Sequence, residues 1–171
     1  MPKRDGWSRI QVMLHWTTVV LLVVQYFLGQ LMEEAYEARL RGEAAEGGDL
    51  FGSGAHVVVG VAILAAMITR FVLRFTQGIA RTPENEPKWA ALLGSLTHYA
   101  FYVVLLLMAI TGVSAFFLGI APAGEVHATL FWVLFAVIVL HVGGALVEQF
   151  VLKTGVLSRM LRPGADGRGR V

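Results

Sequence analysis

The stretch HATLFWVLFAVIVLH, residues 127 to 141, opens and closes on histidine and carries no charge between. An imidazole is costly inside an apolar helix, so two of them in one such run point to a task. Fourteen helical steps rise about 21 Å, at ~1.5 Å each, and return to within about 40° of the starting direction. His127 and His141 thus share one helix face, separated by most of the thickness of a bilayer. The plain alternative is two unrelated polar residues near the ends of a helix.

The rest of the chain has the same character. Its 171 residues are 56% hydrophobic and 15% charged, with mean hydropathy +0.65. A soluble domain of this size carries more charge. In a membrane, the length suits one domain of four spanning helices with short connections. The expected fold is an all-α membrane protein, a four-transmembrane-helix bundle over residues 1–171, with spans at about 10–31, 54–75, 91–118 and 126–150. Ile10 to Leu31 contains no Asp, Glu, Lys or Arg. That run is too long for the core of a signal peptide, holds His15, and leads into bulky acidic sequence without a small-residue cleavage site. The segment 32–49 is acidic and reads as a solvated loop or a short helix outside the bilayer. VLSRMLRP, after Gly155, reads as a short interfacial helix, and the tail GADGRGRV as disordered.

Twelve of the fourteen Lys and Arg residues fall before span one, between spans two and three, or after span four. Only Arg39 and Arg41 lie on the opposite side. Basic residues mark the cytoplasmic side, so both termini are expected to be cytoplasmic, in a bacterial inner membrane. The net charge of +2 is small, and no basic patch is interleaved with exposed aromatics, so nothing points to nucleic acid. The chain has no cysteine. Disulfides, thiolate-held clusters and covalent haem attachment through a CxxCH motif are therefore excluded.

The five histidines sort by depth into two layers: His56 and His127 toward the outer side, and His15, His98 and His141 toward the inner side. Imidazoles from facing helices can fill both axial positions of a haem iron inside a bundle. The outer layer offers one pair, whereas the inner layer offers three candidates for two places. Gly29 and Gly112 lie fourteen residues after His15 and His98, at outer depth, and Gly60 lies one turn from His56. Glycines there leave room for a porphyrin, although close helix packing also favours them. Arg70, fourteen residues after His56, reaches inner depth, where it can pair with haem propionates or act as a snorkelling anchor. For Arg74 the anchor is the expectation.

These residues resemble the bacterial four-helix cytochrome b561 family. The matching stretches are RIQVMLHW, HVVVGVAILAAMITRFVLR, LTHYAFYVVLLLMAITG, and VHATLFWVLFAVIVLHVGGAL with GVLSRMLRP. They cover all but residues 32–52 and the tail. The resemblance implies two non-covalent b haems. It gives His56 and His127 to the outer iron, and His15 and His141 to the inner one. His98 falls on a position where the family tends to have histidine without using it as a ligand. Some members oxidise superoxide at the outer face and reduce ubiquinone. Related cytochromes anchor hydrogenases and formate dehydrogenases and pass electrons to quinone. This chain differs in having Glu148 or Gln149 where the family often has histidine, and in a short connection between spans three and four.

With both axial positions filled, the expected task is electron transfer from an outer donor to ubiquinone or another membrane quinone. The chain is then an oxidoreductase, or a carrier subunit for a partner enzyme or a soluble c-type cytochrome that the acidic segment would attract. Glu148, His98 and Lys88 are candidate proton donors on the quinone side. A haem-free protein whose histidines relay protons or bind metal is the remaining alternative.

Overall fold

The computed structural model describes residues 3–4, 6–43, 47–83 and 85–161. Helix α1 is Arg9–Leu40, α2 is Gly47–Thr76, α3 is Lys88–Leu118 and α4 is Ala121–Leu146. One π turn, Val147–Val151, ends the α4 rod, and α5 follows at Val156–Leu161. Two short strands, β1 at Lys3–Arg4 and β2 at Ile79–Ala80, pair in parallel. Four segments are long and apolar enough to cross a membrane: Arg9–Glu33, Phe51–Thr76, Lys88–Leu118 and Ala121–Val151. At most 17% of any of these apolar windows is buried inside the protein, so lipid must cover the remainder.

The expected all-α, four-helix membrane bundle is thus the fold found. Helix α1 packs along α2, and α3 along α4, while the two hairpins meet more lightly through α2 and α3. The core lies where they meet: Ile63 and Met67 from α2, Val104 and Leu105 from α3, and Leu134 from α4. Leu134 stands midway between His127 and His141, so this core separates the two histidine layers.

Local chemistry sets the helix ends. A reciprocal cap starts α1: the Gln11 amide N–H donates to Ser8 Oγ (3.3 Å), and the Ser8 amide N–H donates to Gln11 Oε1 (3.0 Å). Gly119, at φ 67°, closes α3 in the left-handed conformation, which only glycine adopts cheaply. Pro122 sits in the first turn of α4, where its missing N–H costs nothing. Within the spans, the hydroxyls of Thr18, Thr97 and Thr111 donate to carbonyls four residues back, so none is left unpaired in the apolar layer.

Three features differ from the sequence reading. The acidic segment is neither a free loop nor a separate helix over its described part. Met32 to Leu40 continue α1, and α2 already begins at Gly47; residues 44–46 lie outside the described residues. Glu and Ala are good helix formers, and Arg41 ties back to Glu37 at 3.4 Å and on to Glu43 at 2.9 Å. Between α3 and α4, the expected seven-residue turn shrinks to Gly119 and Ile120, because Pro122 begins a helix there. The polar connections at the basic end are knitted together by β1 and β2. Ser8 Oγ donates to Gln77 Oε1 (2.7 Å), and the buried Gln11 donates through Nε2 to Gly78 O (3.0 Å). The interfacial helix is present as α5, held by Trp16 Nε1 donating to Met160 O at 2.9 Å. The expected disordered tail lies outside the described residues, as do Arg162, Arg168 and Arg170.

Candidate functional site

Each layer brings imidazoles from different helices together. His56 on α2 faces His127 on α4, with ring centroids 6.2 Å apart and planes at 68°. His15 on α1 faces His141 on α4, at 6.1 Å and 59°. Two imidazoles that bind one metal from opposite sides put their ring centres about 6 Å apart, given metal–nitrogen bonds of ~2 Å. His98 on α3 lies closer to His141, at 5.3 Å and 71°, and Phe101 packs edge-on against the same ring at 5.4 Å.

The surroundings suit a flat, bulky group at each pair. The Nδ1–H of His127 donates to Met108 O at 2.8 Å, which leaves Nε2 with its lone pair free to bind a metal. Nδ1 of His15 and Nδ1 of His56 are buried without a hydrogen-bond partner. A side-chain carbon added at Gly112 would come within 3.1 Å of the His127 ring, and one at Gly29 within 4.0 Å of His56 Cε1. Those two glycines stand against the outer pair, at the depth expected. Gly60 does not: an added carbon there would meet Gln25 Nε2 at 3.3 Å. Its expected role in making porphyrin space is corrected, because the amide of Gln25 occupies that side of α2.

Arg70 lies within electrostatic reach of His15, His98 and His141, and of Tyr102. Among the described residues it has no carboxylate partner. Arg74 takes a different position, with its guanidinium 5.3 Å from the Tyr99 ring centre.

The candidate proton donors are dispersed. Lys88 is exposed at the first position of α3. Glu148 sits in the π turn, where Oε2 accepts a 2.5 Å hydrogen bond from Thr154 Oγ1. Nearby Glu86 has its carboxyl pushed up by partial burial, then by the charge of Glu148, against the pull of Arg159. Arg159 itself donates to Arg81 O at 3.0 Å. Only His98 of the three touches a histidine pair. An open cleft of about 680 Å³ lies between α1 and α5, lined by Met13, Trp16, Met160 and Leu161 with Arg9 at its edge. Trp16 also packs edge-on against His15, with centroids 5.3 Å apart.

The family model for prokaryotic cytochrome b561 matches residues 6–163. The chain belongs to the prokaryotic cytochrome b561 family.

Cytochrome b562 of Cereibacter sphaeroides is 33% identical over 165 residues, covering 95% of this chain and 99% of that protein. Cytochrome b561 homolog 1 of Escherichia coli K12 is 26% identical over 180 residues, covering 92% and 97% respectively. As a cytochrome b561 family member, the chain is a multi-pass bacterial membrane b-type cytochrome of electron transport, and haem b is its cofactor. The residues present fit that group. Each pair offers two imidazoles at a spacing suited to one iron, and no cysteine is available for covalent attachment. Among the described residues no three metal-ligating side chains converge, whereas a porphyrin brings four nitrogens of its own and needs only two from the protein.

Trp16, Gln25, Glu86 and Thr154 escaped the sequence reading. Gln25 had a visible signal, an amide deep in an otherwise apolar run and ten residues past His15. Trp16 and Glu86 depend on contacts between segments distant in the chain, whereas Thr154 bonds Glu148 six residues back, through a π turn that carries no local signature.

Proposed function

We propose that the chain is a two-haem quinone-linked cytochrome, in which His56 and His127 hold one haem and His15 and His141 the other. The observation that carries this reading is the match between the two pairs, at 6.2 and 6.1 Å, each pair formed by one residue of α4 and one of the α1–α2 hairpin. Bound there, haem b supplies one-electron transfer between a donor on one side of the membrane and a quinone on the other. His98, at 5.3 Å from His141, is assigned a place beside the inner pair and no ligand role. Arg70, a cation beside the inner histidines without a carboxylate partner among the described residues, neutralises propionates. The distribution of basic residues supports cytoplasmic termini and a quinone at the cytoplasmic end.

The site we propose for ubiquinone or another membrane quinone is the open cleft beside Trp16, between α1 and α5 and next to His15. Its apolar lining takes a prenylated ring from the lipid, and Arg9 offers a polar contact at the edge. Of the proton donors, Glu148 is favoured over exposed Lys88, because it is partly buried and held by Thr154. His98 remains the donor nearest the inner pair. Superoxide is one donor for the outer side. The acidic end of α1, with Glu33 and Glu37, and Glu43 just beyond it repel that small anion and favour a second reading. In that reading the chain is a subunit that takes electrons from a soluble c-type cytochrome or a partner oxidoreductase.

The test is a reduced-minus-oxidised spectrum with pyridine haemochrome quantitation on wild type, His127→Ala and His98→Ala. The expected result is two haems per chain in wild type and His98→Ala, and one in His127→Ala. Well-folded protein without haem overturns the reading. Quinone reduction by the isolated chain, with superoxide or a reduced c-type cytochrome as donor, separates the two versions.

A further inference from the structure

Gln25 is an amide placed deep in the first membrane span, where an unpaired polar group is expensive. Its Nε2 donates across the α1–α2 interface to His56 O at 3.1 Å. Its Oε1 is buried and accepts nothing. On the same residue that Gln25 grips, the Nδ1 of His56 is buried and also lacks a partner. One atom is an acceptor without a donor. The other is a donor without an acceptor once the opposite ring nitrogen binds a metal. Gly60, one turn along α2, leaves the space in which the amide sits, since any side chain there would crowd Nε2 at 3.3 Å.

The facing ligand supplies the comparison. His127 has its Nδ1–H fixed by Met108 O at 2.8 Å. A metal-bound imidazole needs such an acceptor to fix its orientation and raise its basicity. No backbone carbonyl plays this part for His56 among the described residues, because Nδ1 has no partner at all. We infer that Gln25 is a positioning residue for the outer site. Its amide bridges His56, donating to the main-chain carbonyl and accepting from Nδ1–H, so that it orients the ring and sets the potential of the haem held there. This inference rests on the two-haem reading above. Accepting from Nδ1–H makes the imidazole a stronger donor to iron and favours the oxidised form.

The experiment is a redox titration of the purified holoprotein as wild type, Gln25→Leu and Gln25→Glu, followed by visible spectroscopy. His127→Ala identifies the outer component. Gln25→Leu removes the acceptor, and the expected result is roughly a tenfold shift of the outer haem toward the reduced form, about 59 mV upward, with the inner haem unmoved. Gln25→Glu keeps an acceptor, so its outer potential stays at the wild-type value or falls below it. If Gln25→Leu loses the outer haem, retention of that haem in Gln25→Glu supports the inference, and its loss there overturns it. An unchanged outer potential in Gln25→Leu, or equal shifts of both haems, also overturns it while leaving the two-haem reading intact. Wild-type protein with fewer than two haems would instead overturn that reading, and the bridging role with it.

Discussion

The Nδ1–H of His127, on α4, donates to the backbone carbonyl of Met108, on α3, at 2.8 Å. The bond locks one tautomer and one ring orientation across the α3–α4 hairpin, and Gly112 lies against the same Nδ1–Cε1 edge of that ring. A carbon at position 112 would stand 3.1 Å from two ring atoms, so the ring would have to shift against its bond to Met108 O. Gly112→Ala should therefore weaken outer-haem binding about 10–100-fold, the usual cost of disturbing a ligand's support. Gly29→Ala, with 4.0 Å of clearance at His56, should retain the haem. Haem content per chain after dilution with apomyoglobin as a competitor measures both.

His98 and His15 make opposite predictions, although both adjoin His141. His15→Ala should remove one haem and leave a normal spectrum for the other. His98→Ala should keep two, with a shifted inner potential, because its ring lies 5.3 Å from that of His141. Loss of a haem in His98→Ala alone would reassign the inner pair.

Arg70 places a cation beside the inner histidines with no carboxylate to offset it among the described residues. A nearby positive charge favours the electron-rich state of a redox centre. Arg70→Met should lower the inner potential by roughly one tenfold step in the reduction equilibrium, about 59 mV, and Arg70→Lys by less. A titration in which only the outer component moved would contradict this.

At the basic end, the carboxyl of Glu86 is pushed up by partial burial and by Glu148, with Arg159 pulling the other way. The folded protein thus holds this proton to higher pH than the unfolded chain does. The corresponding stability is present below the ordinary glutamate range and is lost as pH rises through the elevated folded value. Glu86→Gln should match wild type at low pH and melt at a higher temperature than wild type above that range. The effect should be small, since Glu86 is largely open to solvent. Thermal unfolding in detergent across a pH series measures it.

Gly52 on α2 packs closely against Leu31 on α1, where an added carbon would lie 2.6 Å from Leu31 Cβ. Gly52→Ala should force the hairpin apart and cost about 1–3 kcal/mol, as overpacking does elsewhere. Unfolding in detergent should show it, and Leu31→Gly in the same chain, which removes that Cβ, should recover part of the loss.

The spans and the two histidine layers were legible because both are matters of count. Twenty or so uncharged residues make a span, and fourteen residues return a helix to its own face. What a count cannot give is the lateral arrangement of helices at one depth. His15 and His98 have the same depth, and only packing around α4 puts their rings at 6.1 and 5.3 Å from that of His141. The resemblance to known cytochromes supplied that choice where spacing left it open. The extension of α1 was hidden because Glu33, Glu34 and Glu37 suit a solvated loop and an exposed helix equally. Pairing of β1 with β2, and the anchoring of Trp16 on Met160, join residues more than seventy positions apart and leave no trace in either segment alone.

The layer of Ile63, Met67, Val104, Leu105 and Leu134 between the two histidine pairs does more than pack. An electron tunnels through a dry hydrocarbon barrier of that thickness, whereas a proton or a metal ion needs a file of water or polar groups to follow. A protein that joins the two faces of an energised membrane electrically must not also short-circuit its ion gradient. If the two pairs each hold a haem, these five side chains would serve as insulation, and a polar residue introduced among them should be felt first as a leak.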